Sequence, residues 1–385
     1  MMVAVRTRYR AVAVALTRSL LLPLGVAAVG VLAGQWLTVD TGAGGGAYAY
    51  VTYALLAVGL YGSASGISRP EQRADVYRIV VAITVGVAAK AAFIAAVLAL
   101  VFLRRPEYLV LAVAMAQIDP LSVSAMLDAH GMSPRAKSLL AAWASFDDPV
   151  TTILVVVISS IVLDGAQGAG AGSADYSVSL LLNLLLLLAA AAVWRVVRRR
   201  ARSVQVLALA VLMGVAAWQF LMLGLALSAL FFRPQLGRWI GRTTNAAFLV
   251  ATFLLGVLLA RGMSPGVGLV LGCATFTAQI VVGAALSWGF PARDRLSLCL
   301  SQQNGITAII LALLLEPLLP EAVAVIAPAI LVVNVLHVVA DALASPAGRS
   351  PSDAPASAGE PPGASRTAAL SAAKRDSLCP QGRTE

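Results

Sequence analysis

Charge is scarce in this chain. Asp, Glu, Lys and Arg make up only 12% of the 385 residues, against 59% apolar types, and a soluble domain carries about twice that charge. Histidine and cysteine are scarce as well. His130 and His337 lie far apart with no third ligand nearby, which argues against a His/Cys metal centre, and Cys273, Cys299 and Cys379 make no disulfide framework. Neither glycine-rich stretch, Gly42–Gly46 nor Gly165–Gly172, opens a helix in a phosphate-binding context. Without a nucleotide motif, any work the protein does draws on a gradient.

What fills the sequence is hydrocarbon. Apolar runs long enough to cross a bilayer recur almost from end to end, and they define an all-α polytopic membrane protein. Twelve spans fit, at roughly 12–37, 48–66, 77–103, 108–127, 138–163, 177–197, 204–217, 218–232, 244–260, 265–289, 295–315 and 322–344. Arg18 inside the first run, with no small-residue cleavage site, makes that run a span and not a signal peptide.

The net charge of +10 comes from arginines in short loops, the footprint of a membrane orientation and not of nucleic-acid binding. With the N-terminus inside, Arg69, Arg73, Arg135, Lys137, Arg198–Arg202, Arg233–Arg242, Arg293 and Arg295 all fall on the cytoplasmic side. The outer loops carry Arg104, Arg105 and Arg261, and otherwise acids such as Asp40, Asp164, Asp175, Glu316 and Glu321. This rule divides residues 204–232 into two short segments, because a single helix would invert every later loop. An even count brings the C-terminus back to the cytoplasm. Residues 1–344 form the transmembrane domain, and 345–385, rich in Pro, Ser, Ala and Gly, read as a disordered cytoplasmic tail.

Against this background the intramembrane acids stand out. Asp119-Pro120 lies in the fourth span and Asp147-Asp148-Pro149 in the fifth. An Asp at a helix centre costs about 2.5–3.5 kcal/mol on insertion scales, so three acids on successive spans mark a site for a cation, a proton or both. Pro120 frees backbone carbonyls, which hydrocarbon tolerates only where protein or a water-lined cavity satisfies them. The competing reading of Asp119-Pro120 is a kink with a neutral, hydrogen-bonded Asp, and that of Asp147-Asp148 is a structural pair. Lys90, flanked only by apolar or small residues midway along the third span, needs a partner or must lose its proton. Asp147 and Asp119 are the candidate partners, and snorkelling or a deprotonated Lys in a small-residue interface are the alternatives. Gln303-Asn304-Gly305-Ile306-Thr307 interrupts the eleventh span much as Asp119-Pro120 interrupts the fourth. Interrupted helices in corresponding halves point to an inverted repeat with a midplane site; interhelix polar packing is the plainer alternative, as it is for Asn334 and His337.

The segment "IDPLSVSAMLDAHGMSPRAKSLLAAWASFDDPVTTIL" resembles the monovalent cation:proton antiporters. These carry Thr-Asp-Pro in one span and Asn-Asp or Asp-Asp in the next. The family's spacing of about 29 residues between the first acid and the second of the pair is that between Asp119 and Asp148. The likeness is strongest over residues 108–163 and collinear from about 50 to 344. It implies an inverted-repeat fold of about twelve helices with two broken, crossing helices. It also implies Asp148 as the carboxylate for ion and proton, Asp147 as its partner and Asp119 as support at the crossing. Pro120, Ser145, Lys90, Asn304, Gly305 and Thr307 complete the supporting set.

The resemblance further implies Na⁺ (with Li⁺ or K⁺ as alternatives) and H⁺ as the exchanged ions. No cofactor, a homodimer and a plasma-membrane location go with it. This chain departs from the family at Ile118, which replaces the Thr. It departs again at Trp143 and Asn304, which replace a buried Glu–Arg pair of one branch, and in a tenth span whose polar residues are Thr275, Thr277 and Gln279 where the Asp-Asp branch has Lys or Arg. Three other functions remain in view: a sodium-coupled organic-anion symporter, a transport-inactive sensor, and an intramembrane aspartyl protease. The last lacks its Gly-x-Gly-Asp motif, so the chain reads as a transporter and not an enzyme.

Overall fold

The structure is a computed structural model that describes residues 21–41, 46–65, 73–102, 105–120, 123, 132–159, 161–162, 173–234 and 238–344. The proposed tail, the start of the first span, His130, both glycine-rich loops (save Gly46) and most of residues 121–131 lie outside them. Among the described residues every regular element is a helix. In chain order these are α1 (Leu21–Ala33), α2 (Gly46–Ser65) and α3, which joins Arg73–Val81, a π-helical turn Ala82–Gly86 and Val87–Val101. They continue as α4 (Glu107–Met115), α5 (Pro134–Ser159), α6 (Ser173–Val197), α7 (Arg202–Trp218), α8 (Met222–Ser228) and α9 (Arg238–Leu259). The last four are α10 (Pro265–Leu286), α11 (Ala292–Cys299), α12 (Ile306–Leu315) and α13 (Ala322–Ala344).

Among the described residues, six helices are long and apolar enough to cross a membrane: α3, α5, α6, α9, α10 and α13. The order of segments follows the hydropathy pattern, but several of the twelve runs are not continuous helices. The fourth stops at Met115, and the eleventh divides into α11 and α12 around residues 300–305. Residues 204–232 divide into α7 and α8, the latter seven residues long. The break between α7 and α8 is at Phe220, a non-glycine residue at φ 53°, whose ring meets Tyr53 of α2 edge-on at 4.9 Å.

Prolines behave according to their surroundings. Pro120 sits in the first turn after the unwound residues 116–119, with Val123 N–H donating to Asp119 O at 3.1 Å; a first-turn proline loses no helical bond. Pro149 and Pro328 lie inside continuous α5 and α13. Helices without a hydrophobic drive between them pack through small residues. On α10, a Cβ at Gly268 would stand 2.5 Å from Pro328 Cγ of α13, so this contact requires a bare Cα. One apolar core joins α2, α4, α8, α9, α10, α12 and α13, and a smaller cluster built on Trp143, Ile118 and Leu140 joins the start of α5 to α3 and α10.

Candidate ion-binding site

The interruptions after α4 and before α12 meet each other. Asp119 N–H donates to Gln303 O at 2.9 Å, linking the two unwound segments through their backbones. The carbonyls released at the end of α4 are collected from the other segment. Asn304 Nδ2 donates to Met115 O and Gln117 O, each at 3.3 Å, and Gln302 Nε2 donates to Gln117 O at 2.7 Å. Asn334 of α13 completes the scaffold: its Nδ2 donates to Asn304 O at 3.0 Å and its Oδ1 accepts from Asn304 N at 3.2 Å. His337 bonds Leu300 O through Nδ1 at 2.6 Å and contacts the Gln303 amide through Nε2. Asn304 thus answers orphaned helix-end carbonyls where the resembling branch carries a charge.

Gly305 is at the closest point. A Cβ there would lie 2.4 Å from Asp119 Oδ2 and 2.5 Å from its Cγ, so the Asp119 carboxylate rests directly on the Gly305 backbone. That backbone opens α12, and the N-terminus of a helix carries partial positive charge.

The two neighbouring acids of α5 have separate surroundings, as residues about 100° apart on a helix must. Asp147 Oδ2 accepts from Lys90 Nζ at 2.9 Å and from Ile118 N–H at 3.0 Å. Lys90 and Asp147 are 1% and 0% exposed, which makes this a dry ion pair. The Lys90 ammonium also lies 5.3 Å from the centre of the Trp143 ring, a cation–π contact. The π-helical turn just before Lys90 inserts a residue into α3 and so turns the face that follows it. With Ile118 in place of a threonine, it is the main-chain N–H that serves Asp147.

Asp148 is 0% exposed and has no cation partner among the described residues. Its Oδ2 accepts from Thr307 Oγ1 of α12 at 2.8 Å and from Ser63 Oγ of α2 at 3.1 Å, while Oδ1 has no hydrogen-bond partner. Asp119 and Asp147 both act on it electrostatically. A carboxylate so placed is neutralised by a proton or a metal cation, because an isolated buried charge costs far more than two hydroxyl bonds can offset. Thr307 and Ser63 each keep hydroxyl lone pairs for a cation as well as a proton to donate.

Ser145 bonds within its own helix: its hydroxyl donates to Ala141 O at 2.7 Å. Gln279 fills the uncharged tenth span, donating to Leu298 O and Ser301 Oγ, each at 3.1 Å. Ser63 and Gln302 join the site without a signal of their own in the sequence. Ser63 sits among small residues with no acid or proline to mark it, whereas Gln302 adjoins the polar run that drew notice to Asn304.

No family model matches the chain, and no curated protein matches its sequence. Among solved structures it is similar to the sodium proton antiporter MjNhaP1 from Methanocaldococcus jannaschii. The match covers 89% of this chain and 99% of that one, with a TM-score of 0.57 and 16% identity. The chain has an antiporter fold. With so little identity, the likeness belongs to the path of the backbone, and the site rests on the contacts just described.

Proposed function

We propose that the protein is a secondary active antiporter that exchanges a monovalent cation, Na⁺ first among them, for H⁺, with the two ions competing for Asp148. One observation carries this reading: a fully buried carboxylate held only by hydroxyls, beside two joined helix interruptions, with its neighbour's charge already met by Lys90. Such a group holds a proton or a desolvated cation, and not both. In the proton-loaded form Oδ1 carries the hydrogen. In the cation-loaded form Asp148, with Asp119 and the oxygens of Thr307 and Ser63, surrounds the ion.

Asp148 is sealed from water in this conformation, which corresponds to an occluded step. Alternating access then requires one of its contacts to part, and Ser63 on α2 is the weaker of the two hydroxyl bonds. In this reading the interrupted fourth and eleventh spans cross at the midplane as halves of an inverted repeat within about twelve spans. The membrane is the plasma membrane, both termini are cytoplasmic, and residues 345–385 form a tail. The assembly is a homodimer. A sodium-coupled symporter for an organic anion would need a base to receive its carboxylate, and Lys90 is engaged by Asp147; an inorganic cation is therefore favoured.

The test is dye dequenching in proteoliposomes with Na⁺, Li⁺ and K⁺, comparing wild type with Asp148→Asn. Cation-driven proton movement in the wild type and none in the variant is expected. Unchanged activity in Asp148→Asn removes Asp148 from the mechanism, and a wild type inert to all three ions favours the sensor reading.

A further inference from the structure

A cavity of about 340 Å³ lies beside the outer half of α5, between it, α6 and the α7–α8 break. That volume is within the range of about 300–1,000 Å³ typical of small-molecule sites. It begins one helical turn beyond the ion site: Thr152, on its wall, donates to Asp148 O at 2.8 Å.

The polar groups on the wall are already engaged. Thr152 is bonded to its own helix, and Asn183 of α6 donates to Ser179 O at 2.9 Å and accepts from Gly224 N at 2.8 Å. Ser179, at the exposed rim, is the other polar lining residue, and the rest of the wall is hydrocarbon. A water-filled vestibule needs polar partners for its waters, and among the described residues only Ser179, at the rim, is left to offer one. The rim also decides where an occupant comes from. Ile161 and Leu180 are 62% and 59% exposed. Leu180 stands on a face of α6 that presents Leu181, Leu184, Leu185 and Leu188 outward, an apolar surface of the kind that lipid tails cover in a membrane-spanning chain. The described rim of the cavity is thus of the kind that faces lipid rather than water. At its inner wall Phe220 holds the left-handed backbone noted above, a conformation that persists where surroundings over-determine it, often at ligand clamps.

We propose that one acyl chain of a bilayer lipid enters between α5 and α6 and fills this cavity. The chain braces the outer half of α5, the helix that carries Asp148, against α6 and α8. The site is set by apolar shape alone, so it accepts a hydrocarbon tail irrespective of the headgroup.

The experiment reconstitutes the full-length protein in vesicles of phosphatidylcholine bearing a diazirine on one acyl chain, irradiates them, and maps the adducts by peptide mass spectrometry. Adducts on Val156, Met222 and Leu223 are expected, alongside those on the outward leucines Leu184 and Leu188. In a Val156→Phe/Leu223→Phe variant the interior adducts are lost while Leu184 and Leu188 stay labelled, which also shows that the variant is inserted. A second arm exposes the wild type to a water-soluble diazirine, which is expected to leave Met222 and Leu223 unlabelled. Adducts confined to the outward leucines, interior adducts that survive the filling substitutions, or labelling of Met222 by the water-soluble reagent would each overturn the proposal. None of these readouts depends on ion transport.

Discussion

The two sides of α5 at its midpoint present one carboxylate each and treat them in opposite ways. Toward α3, Asp147 meets a full positive charge and a main-chain N–H. Toward α2 and α12, Asp148 meets two neutral hydroxyls and no cation among the described residues; each acid keeps its Oδ1 without a hydrogen-bond partner. Adjacent residues of one type thus become a fixed half of an ion pair and an acid with no fixed counter-charge. The difference is made by which helices pack on each face. The paired acid ties α5 to α3; under the proposed function the other is the one that exchanges its proton.

The largest stability effect should come from breaking the paired side. Lys90→Met leaves Asp147 buried without its cation, and removing one partner of a buried pair costs about 3–5 kcal/mol. A marked fall in Tm in detergent is expected. Adding Asp147→Asn should recover most of it, since a neutral amide at that position needs no counter-charge. If the two changes prove additive, the pair is not the anchor described.

On the unpaired side, Gly305→Ala forces a methyl group against the Asp119 carboxylate. Overpacking of this kind costs about 1–3 kcal/mol, and exchange should be lost while the protein stays folded. Wild-type exchange in that variant would mean that the close approach of Asp119 to α12 does not matter. Thr307→Val and Ser63→Ala each remove one hydrogen bond to Asp148, worth about 0.5–1.5 kcal/mol for a neutral acceptor. The apparent KM for the cation should rise in both, and more in Thr307→Val because that bond is shorter. The reverse order would point to α2 as the principal source of ligands.

The smallest effect lies away from the membrane interior. Glu316, after α12, accepts a hydrogen bond from Val323 N–H at 2.9 Å. Burial raises its pKa, partly offset by that bond and by Arg261. The folded protein therefore keeps the Glu316 proton to a higher pH than the unfolded chain does. Its contribution to stability is full below the ordinary glutamate range and declines as pH rises through the raised value. Glu316→Gln, measured by Tm against pH, should flatten that slope slightly and leave exchange unchanged.

How far the sequence disclosed these two regions depends on how each residue signals. Asp119-Pro120 was legible because proline cannot continue a helix, yet the same Asp-Pro pair at 148–149 lies within unbroken α5. Proline alone therefore did not mark where the chain unwinds; the partner segment at 300–305 did, by supplying donors for the freed carbonyls. Lys90 was legible as a charge that needed a partner. Choosing Asp147 over Asp119 required the phase of α3, which the π-helical turn resets without any residue to announce it. Ser63 was not legible, because a serine among small residues has no periodicity or charge to distinguish it. The α7–α8 break was inferred from loop charge, and the left-handed Phe220 that makes it has no signature in composition.

The most direct test of the central claim is the dependence of the apparent KM for Na⁺ on pH in wild-type proteoliposomes. If proton and cation exclude each other at Asp148, KM should rise about tenfold for each unit the pH falls below the acid's own titration, with the maximal rate little changed. A KM that stays constant across that range, with transport still present, would contradict competition at a single carboxylate.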